Sequence, residues 1–208
     1  MPGAGLSLRD AIQRSDYRRL RALLLGHVSA IDASLLEQEP IPSVPMASGT
    51  ETRVHEWHHP SGQFVVSTDP SRLDLDLIHG VLRETYWSPG VPRAIVQRAI
   101  AGSLSFGIYA ASGAQVGFAR VITDRATFAY LADVFVVEAE RGHGLGKWLT
   151  SAIVEHPDLQ NLRRWLLATR DAHALYAQFG FTPLGAPDRI MERHDPQVYA
   201  RLSPPHTS

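Results

Sequence analysis

A chain of 208 residues, with 44% hydrophobic and 20% charged residues, has the composition of an ordinary globular protein that can bury a sizeable core. Its formal net charge of −1 excludes the strong basic bias that draws proteins to nucleic acid or to an anionic membrane. The absence of cysteine excludes disulfides, thiolate metal sites and a cysteine acyl-enzyme. No apolar run has the length of a signal peptide or a membrane span, so we expect a cytoplasmic protein.

Residues 1–50 differ in pattern from the rest of the chain. Apolar residues with helical spacing run along positions 16–39, with an interruption at Gly26. This face consists of Leu20, Leu24, Val28, Ile31 and Leu35. Positions 40–49 are rich in proline and small residues, which is typical of a linker. We predict a helical extension and linker over residues 1–50. The extension would pack on the following domain or on a second subunit, and in the second case the protein would be a homodimer.

Residues 51–208 are predicted to form one α/β domain. Period-two alternation indicates its strands, and helical spacing of apolar residues indicates its helices. In chain order the predicted elements are strands 54–58 and 63–68, helices 73–82 and 92–101, strands 104–110, 115–122 and 127–137, a helix from about 145, strand 165–168, helix 172–179, and strands 181–184 and 189–193.

A glycine-rich turn follows the strand at 127–137. Gly142, Gly144 and Gly146 leave backbone amides open, and the amides at a helix N-terminus bind anions. The helix that follows has an apolar face of Leu145, Trp148, Leu149, Ala152 and Ile153. A nucleotide P-loop needs a hydroxyl where Trp148 stands, and the dinucleotide fingerprint needs a glycine where Lys147 stands. The turn therefore predicts a phosphate site of another type.

Two motifs in this half of the chain carry a family resemblance. The turn matches Gln/Arg-x-x-Gly-x-Gly/Ala at Arg141, Gly144 and Gly146. A later segment matches Asn-x-x-Ala-x-x-x-Tyr-x-x-x-Gly-Phe at Ala172, Tyr176, Gly180 and Phe181, with Thr169 in place of the asparagine. On these motifs the chain resembles the GNAT (GCN5-related N-acetyltransferase) superfamily. The resemblance implies an acyl-CoA N-acyltransferase fold, a mixed α/β architecture whose central, mostly antiparallel sheet is flanked by helices.

The resemblance also implies acetyl-CoA as cosubstrate and a set of residues to hold it. The turn is expected to bind the pyrophosphate, and the backbone of the preceding strand to pair with the pantetheine amides. The cofactor-binding residues would be Phe135, Val136, Val137, Arg141, Gly142, His143, Gly144, Leu145, Gly146, Lys147 and Thr169.

Tyr176 stands where the family has the tyrosine that protonates the leaving thiolate. The same residue also lies on an apolar helical face with Ala172, Leu175 and Phe179, so a core tyrosine with a bonded hydroxyl is the alternative. Asp133 lies in the strand before the turn, where many relatives carry an acid that takes the proton of the amine. Its alternative is a carboxylate paired with a neighbouring side chain such as Arg120.

Tyr86 and Trp87 lie between the first two helices of the domain, which line the acceptor pocket in the family. Ordinary core packing is the alternative for both residues. His55, His58 and His59 lack the helical or cysteine context of a zinc site, so we expect no metal.

The predicted activity is transfer of acetyl from acetyl-CoA to a primary amine by direct attack, without a covalent enzyme intermediate. An amine of pKa ~10.4 is about 99.9% protonated near neutral pH, so the site must desolvate it or supply a base. A small-molecule acceptor is favoured because no acidic groove is visible. A protein lysine or N-terminal acetyltransferase and a non-catalytic coenzyme A sensor or interaction protein are the alternatives.

Overall fold

A computed structural model describes residues 53–202, and the structural statements below concern this part of the chain. The predicted helical extension and linker of residues 1–50 lie outside the described residues. That extension and the domain boundary after it stay predictions.

One mixed sheet contains six strands in chain order. They are β1 (Glu56–His58), β2 (Phe64–Ser67), β3 (Leu104–Ala110), β4 (Gln115–Thr123), β5 (Phe128–Val136) and β6 (Arg164–Leu167). Strands β1 to β5 pair antiparallel with their neighbours, and β6 is parallel to β5. The predicted fold class, a mostly antiparallel sheet flanked by helices, is confirmed.

Five α-helices accompany the sheet within residues 53–202. They are α1 (Leu75–Leu82), α2 (Arg93–Ala101), α3 (Leu145–Val154), α4 (His173–Ala177) and α5 (Val198–Leu202). The side chain of Asp74 caps α1 by accepting from the backbone N–H groups of Asp76 and Leu77. None of these helices is long and apolar enough to cross a membrane.

Helices cover both faces of the sheet, which explains why the central strands are apolar almost throughout. On one face α3 packs Leu145 and Leu149 against residues of β3 such as Phe106. On the other face α1 and α2 enclose Phe118 of β4 and Phe135 of β5. The two cores therefore enclose β4 and β5 between them.

The predicted strands at 181–184 and 189–193 are wrong. Neither segment forms a strand in the structure, and a short 3₁₀ turn, Pro187–Arg189, lies between them. Pro183 and Pro187 lack the N–H that a ladder requires, and most residues here are exposed, so no apolar face holds them on the sheet. Helix α4 is also shorter than predicted, because the chain leaves it toward Gly180, whose φ is +82°.

Candidate active site

Strand β6 pairs along its whole length with only the first four residues of β5. Residues Phe128–Leu131 of β5 face Arg164–Leu167, whereas β5 continues to Val136 in contact with β4 alone. The backbone beyond Leu131 is therefore open on the β6 side. An extended ligand can add to such an edge as a strand would.

Of the three residues predicted to pair with pantetheine, Val136 is best placed at this open edge. The N–H of Val137 donates to Val116 O at 2.9 Å, and its carbonyl accepts from Glu140, so Val137 is engaged within the protein. Backbone groups of alternate strand residues point to opposite sides, which turns those of Phe135 toward β4 and those of Val136 toward the gap. The Val136 carbonyl also accepts from Arg141 Nε at 3.3 Å.

The glycine-rich turn presents open amides at the start of α3. Gly142 and Gly144 have φ values of +85° and +74°, which glycine adopts without strain. Gly144 occupies the N-cap of α3 without a side-chain cap. A Cβ added to Gly142, Gly144 or Gly146 would meet no atom within 4 Å, so the space above the turn is open. Open amides at a helix N-terminus fit a phosphate group.

The charged side chains of the turn have different surroundings. Arg141 is held toward the end of β5 by Val136, and His143 Nδ1 lies 3.2 Å from the Glu140 carbonyl oxygen. Lys147 is exposed in the first turn of α3, where its charge adds to the positive end of the helix dipole. Arg141 and His143 therefore shape the turn, and Lys147 extends its positive potential.

A cavity of about 320 Å³ lies beside the gap between β5 and β6. We call it the acceptor cavity, after the role that the sequence analysis predicts for Tyr86 and Trp87. Its lining includes Tyr86, Trp87, Ser88, Arg120, Tyr130, Asp133, Thr169, Asp171, Tyr176 and Tyr199. The structure thus brings together, in one cavity, the residues that the sequence analysis assigned to catalysis and to the acceptor.

Tyr176 of α4 is 8% exposed and packs edge-on against Phe181, with ring centroids 5.9 Å apart. No hydrogen bond among the described residues uses its hydroxyl, unlike the bonded core tyrosine of the alternative interpretation. Burial, and to a smaller extent Tyr86, raises the pKa of Tyr176 above its ordinary value. The phenol is therefore protonated at neutral pH and is a weaker acid than an exposed tyrosine.

Asp133 is paired with Arg120, as its alternative interpretation expected. Arg120 Nε donates to Asp133 Oδ2, and the side chains are only 16% and 13% exposed. Asp133 has a φ of +56°, and the β4–β5 register shifts between Phe118 and Arg120. A second guanidinium nitrogen of Arg120 lies 3.3 Å from Ser103 Oγ. The pair sits where both strands are distorted, in the lining of the acceptor cavity.

Comparison with known proteins agrees with this architecture. A family model of the acetyltransferase (GNAT) domain matches residues 103–183. A protein of Gibberella zeae assigned as an acetyltransferase is 30% identical over 61% of this chain and 82% of its own. A crystal structure of a protein assigned to the GNAT family, from Xanthomonas campestris pv. campestris, is 52% identical, with a TM-score of 0.63 over 71% of this chain and 97% of its own. This chain belongs to the GNAT family.

A more distant structure, a protein of Deinococcus radiodurans R1 assigned as an acetyltransferase, shares the fold with a TM-score of 0.53 at 18% identity, over 69% of this chain and 94% of its own. The family resemblance carried by the two motifs is confirmed. As a GNAT protein the chain is an acetyltransferase, and acetyl-CoA is its expected acetyl donor.

Arg170, between the cavity-lining residues Thr169 and Asp171, contacts Tyr86 and was missed by sequence reasoning. Its backbone N–H donates to Tyr86 Oη at 3.1 Å, and its guanidinium carbon lies 3.9 Å from the centre of the Tyr86 ring. Tyr86 and Trp87 are 47% and 42% exposed, so core packing does not account for them. The only sequence signal for Arg170 is that it follows Thr169 in the second motif.

Thr169 supports the turn that leads into α4. Its Oγ1 accepts from the Ala172 N–H at 3.0 Å. The side chain that replaces the family's asparagine thus stabilises the approach to the helix that carries Tyr176.

The histidines of the β1–β2 hairpin contact aromatic rings. The ring of His55 lies 4.7 Å from that of His156, and the ring of His59 lies 4.9 Å from that of Trp148. Among residues 53–202, no group of His, Asp or Glu has an arrangement suited to a metal ion.

Proposed function

We propose that this GNAT acetyltransferase transfers acetyl from acetyl-CoA to a primary amine of a small molecule, by direct attack and without a metal. The observation that carries the proposal is the acceptor cavity, which lies at the β5–β6 gap and is lined by both Asp133 and Tyr176. The absence of cysteine is consistent with a reaction that forms no thioester on the enzyme. The cytoplasmic location stays a prediction from the sequence.

The donor site would be the turn together with the end of β5. The open amides from Gly142 to Lys147 would hold the pyrophosphate, and Val136 would pair with the pantetheine amides. This arrangement directs the thioester along the gap toward the acceptor cavity. Its carbonyl would then be within reach of an amine bound beside Tyr86 and Trp87.

The acceptor amine must lose a proton before it attacks the thioester carbon. For an amine of pKa ~10.4, this costs roughly 4 kcal/mol at pH 7.5. Asp133 would draw the proton directly or through water, and burial of the cavity would lower the pKa of the ammonium. The Arg120 contact engages Oδ2 and fixes the carboxylate, so we assign proton acceptance to Oδ1.

The attacking nitrogen of the tetrahedral adduct would give up a second proton to solvent, and collapse of the adduct breaks the carbon–sulfur bond and releases the thiolate of coenzyme A. Tyr176 would donate its phenolic proton to that sulfur and regain a proton from solvent. Burial raises the pKa of this hydroxyl and makes it a weaker acid, so the transfer would occur only as the carbon–sulfur bond breaks and charge develops on the sulfur.

Calorimetric titration of acetyl-CoA into the full chain tests the donor site. We expect micromolar binding that Gly144→Glu abolishes, because the new carboxylate would enter the open space above the turn and repel phosphate. Gly113→Glu is the matched control, since Gly113 has a φ of +85° and equally open space but lies in the β3–β4 turn. Absence of binding to the wild type, or equal loss in both variants, would overturn the donor site.

A further inference from the structure

Two exposed aromatic side chains form the mouth of the acceptor cavity. Tyr86 and Trp87 pack edge to face with ring centroids 4.9 Å apart, although both are more than two-fifths exposed. We call them the aromatic rim. Large aromatic surface left in water at the mouth of a cavity is available for contact with a bound molecule.

The loop that carries the aromatic rim is tied to the end of α1. Thr85 Oγ1 and Ser88 Oγ donate to the Leu82 carbonyl oxygen at 2.7 and 3.0 Å, and the two hydroxyls lie 3.0 Å apart. The two bonded residues, Thr85 and Ser88, directly precede and follow the aromatic rim along the chain. The loop therefore holds its conformation without help from a ligand.

Arg170, whose neighbours Thr169 and Asp171 line the cavity, secures the rim from the loop between β6 and α4. Its backbone N–H binds the Tyr86 hydroxyl oxygen, and its guanidinium covers one face of the Tyr86 ring. The rim is consequently bridged to the loop between β6 and α4. A preorganised apolar surface of this kind gains affinity, because little conformational entropy remains to be lost on binding.

The charges of the acceptor cavity are balanced. Asp133 is paired with Arg120. The other carboxylate of the lining, the exposed Asp171, has its Oδ2 3.6 Å from Arg170 Nη2. A polyamine or an aminoglycoside carries several ammonium groups and would need several carboxylates without cationic partners. A phosphorylated acceptor would need cations without anionic partners. Neither surplus is present in the described lining, whereas aromatic rings are abundant: Tyr86, Trp87, Tyr130, Tyr176 and Tyr199.

We propose that the acceptor is a monoamine carried on a flat aromatic body. The body stacks on the aromatic rim, and the single amine reaches inward to the Asp133–Arg120 pair. The amine would meet Asp133 Oδ1, the carboxylate oxygen that the Arg120 bond does not use, and the aromatic surface excludes water around it. This inference rests on the acetyl transfer proposed above for the fate of the amine.

The experiment compares acceptors with the full chain and acetyl-CoA, by release of free thiol. The probes are 2-phenylethylamine, spermidine and kanamycin. We expect kcat/KM for 2-phenylethylamine to exceed that for the two polycations at least tenfold. Trp87→Ala should raise the KM for 2-phenylethylamine roughly tenfold, equivalent to ~1.4 kcal/mol, without changing the KM for acetyl-CoA. Ile122→Ala is the control, since Ile122 is similarly exposed at 41% but lies outside the cavity.

Tryptophan fluorescence separates failure of this inference from failure of acetyl transfer. The chain has 4 tryptophans, and binding of 2-phenylethylamine should change an emission component that Trp87→Phe removes. This fluorescence change without acetylation of 2-phenylethylamine would support the ligand class and overturn acetyl transfer. Preferred acetylation of spermidine or kanamycin would overturn the ligand class and leave acetyl transfer standing. Neither turnover nor a fluorescence change with 2-phenylethylamine would overturn the inference.

Discussion

At the scale of single residues, the hydroxyl of Tyr176 is the group whose removal would distinguish the proposed enzyme from a coenzyme A sensor. Tyr176 combines burial, a hydroxyl without a bonded partner among the described residues, and a raised pKa. In the proposed mechanism an enzyme that expels a thiolate needs a proton donor at this position, whereas a coenzyme A sensor does not.

Replacement of Tyr176 by Phe should lower kcat by about 10²-fold, the lower end of the usual range for a general acid. The dissociation constant for acetyl-CoA should stay within about twofold, because the variant removes one hydroxyl and leaves the ring in place. Steady-state kinetics and calorimetry measure the two quantities.

Tyr109→Phe is the matched control for this substitution. Tyr109 is 2% exposed, its hydroxyl is buried without a partner among the described residues, and it lies outside the acceptor cavity. We expect unchanged kcat and a slight gain in stability, since an unpaired buried hydroxyl is unfavourable. Equal rate loss in both variants would show that Tyr176→Phe acts through packing rather than proton transfer.

The Arg120–Asp133 pair is expected to behave as a shielded ion pair. Arg120→Met should destabilise the protein by about 3 kcal/mol, because it leaves Asp133 without its charge partner at 13% exposure. Arg120→Met combined with Asp133→Asn should cost less than the single change, because asparagine is uncharged and tolerates the φ of +56°. Urea denaturation of the single and double variants measures this coupling, and strictly additive losses would contradict it.

At the scale of elements, α1 positions the loop that carries the aromatic rim, and its own start depends on one carboxylate. Asp74 accepts from two backbone N–H groups of the first turn, at 3.0 and 2.9 Å. Its backbone N–H also donates to the Gln115 side chain, which joins the helix start to β4.

Asp74→Ala should lower the free energy of unfolding by ~1 kcal/mol, the usual effect of losing an N-cap. Asp74→Asn should retain most of the stability, because the asparagine oxygen can accept the same hydrogen bonds. Denaturant unfolding of both variants checks the expectation. Equal destabilisation by Asn and Ala would show that the charge, rather than the cap, matters.

At the scale of the whole molecule, a buried histidine links folding to pH. His156 is 1% exposed, contacts the rings of His55, Trp57 and Phe106, and accepts at Nδ1 from the Asp158 N–H. Its Nε2 is buried without a partner among residues 53–202. Burial, and next the neighbouring His55, lowers the pKa of His156 to about 4.

Because the folded-state pKa lies below the ordinary value of ~6.5, the unfolded chain binds more protons between these two values. Stability should therefore fall as pH is lowered from 6.5 toward 4, by roughly 2 kcal/mol at pH 5 from this residue alone. His156→Asn keeps a capping acceptor but cannot titrate, so it should flatten the dependence.

Unfolding free energies at pH 7 and pH 5 measure the effect. His173→Asn is the control, because His173 is exposed and should leave the dependence unchanged. His55, Asp158 and Arg125 also influence the pKa of His156, and these three residues are unchanged in both variants. An equally steep acid loss in His156→Asn would assign the pH dependence to other groups.

Local sequence pattern was sufficient wherever local physics decides the structure. The apolar face of α3, the strands β3 to β5 and the glycine turn follow from side-chain periodicity and from the freedom of glycine at positive φ. The same periodicity predicted strands after residue 180 that the structure lacks. In that segment the prolines, and the lack of an apolar surface for the strands to cover, outweigh a weak alternation of apolar and polar residues.

The sequence by itself determined the family, the order of the elements up to α4 and the turn that offers its amides, because each depends on neighbours within a few residues. Only the tertiary structure decided how the acceptor cavity is built. Tyr86 and Arg170 meet across 84 positions, and Asp133 finds Arg120 on the adjacent strand. Such contacts arise from strand register and helix packing, which no short stretch of sequence encodes.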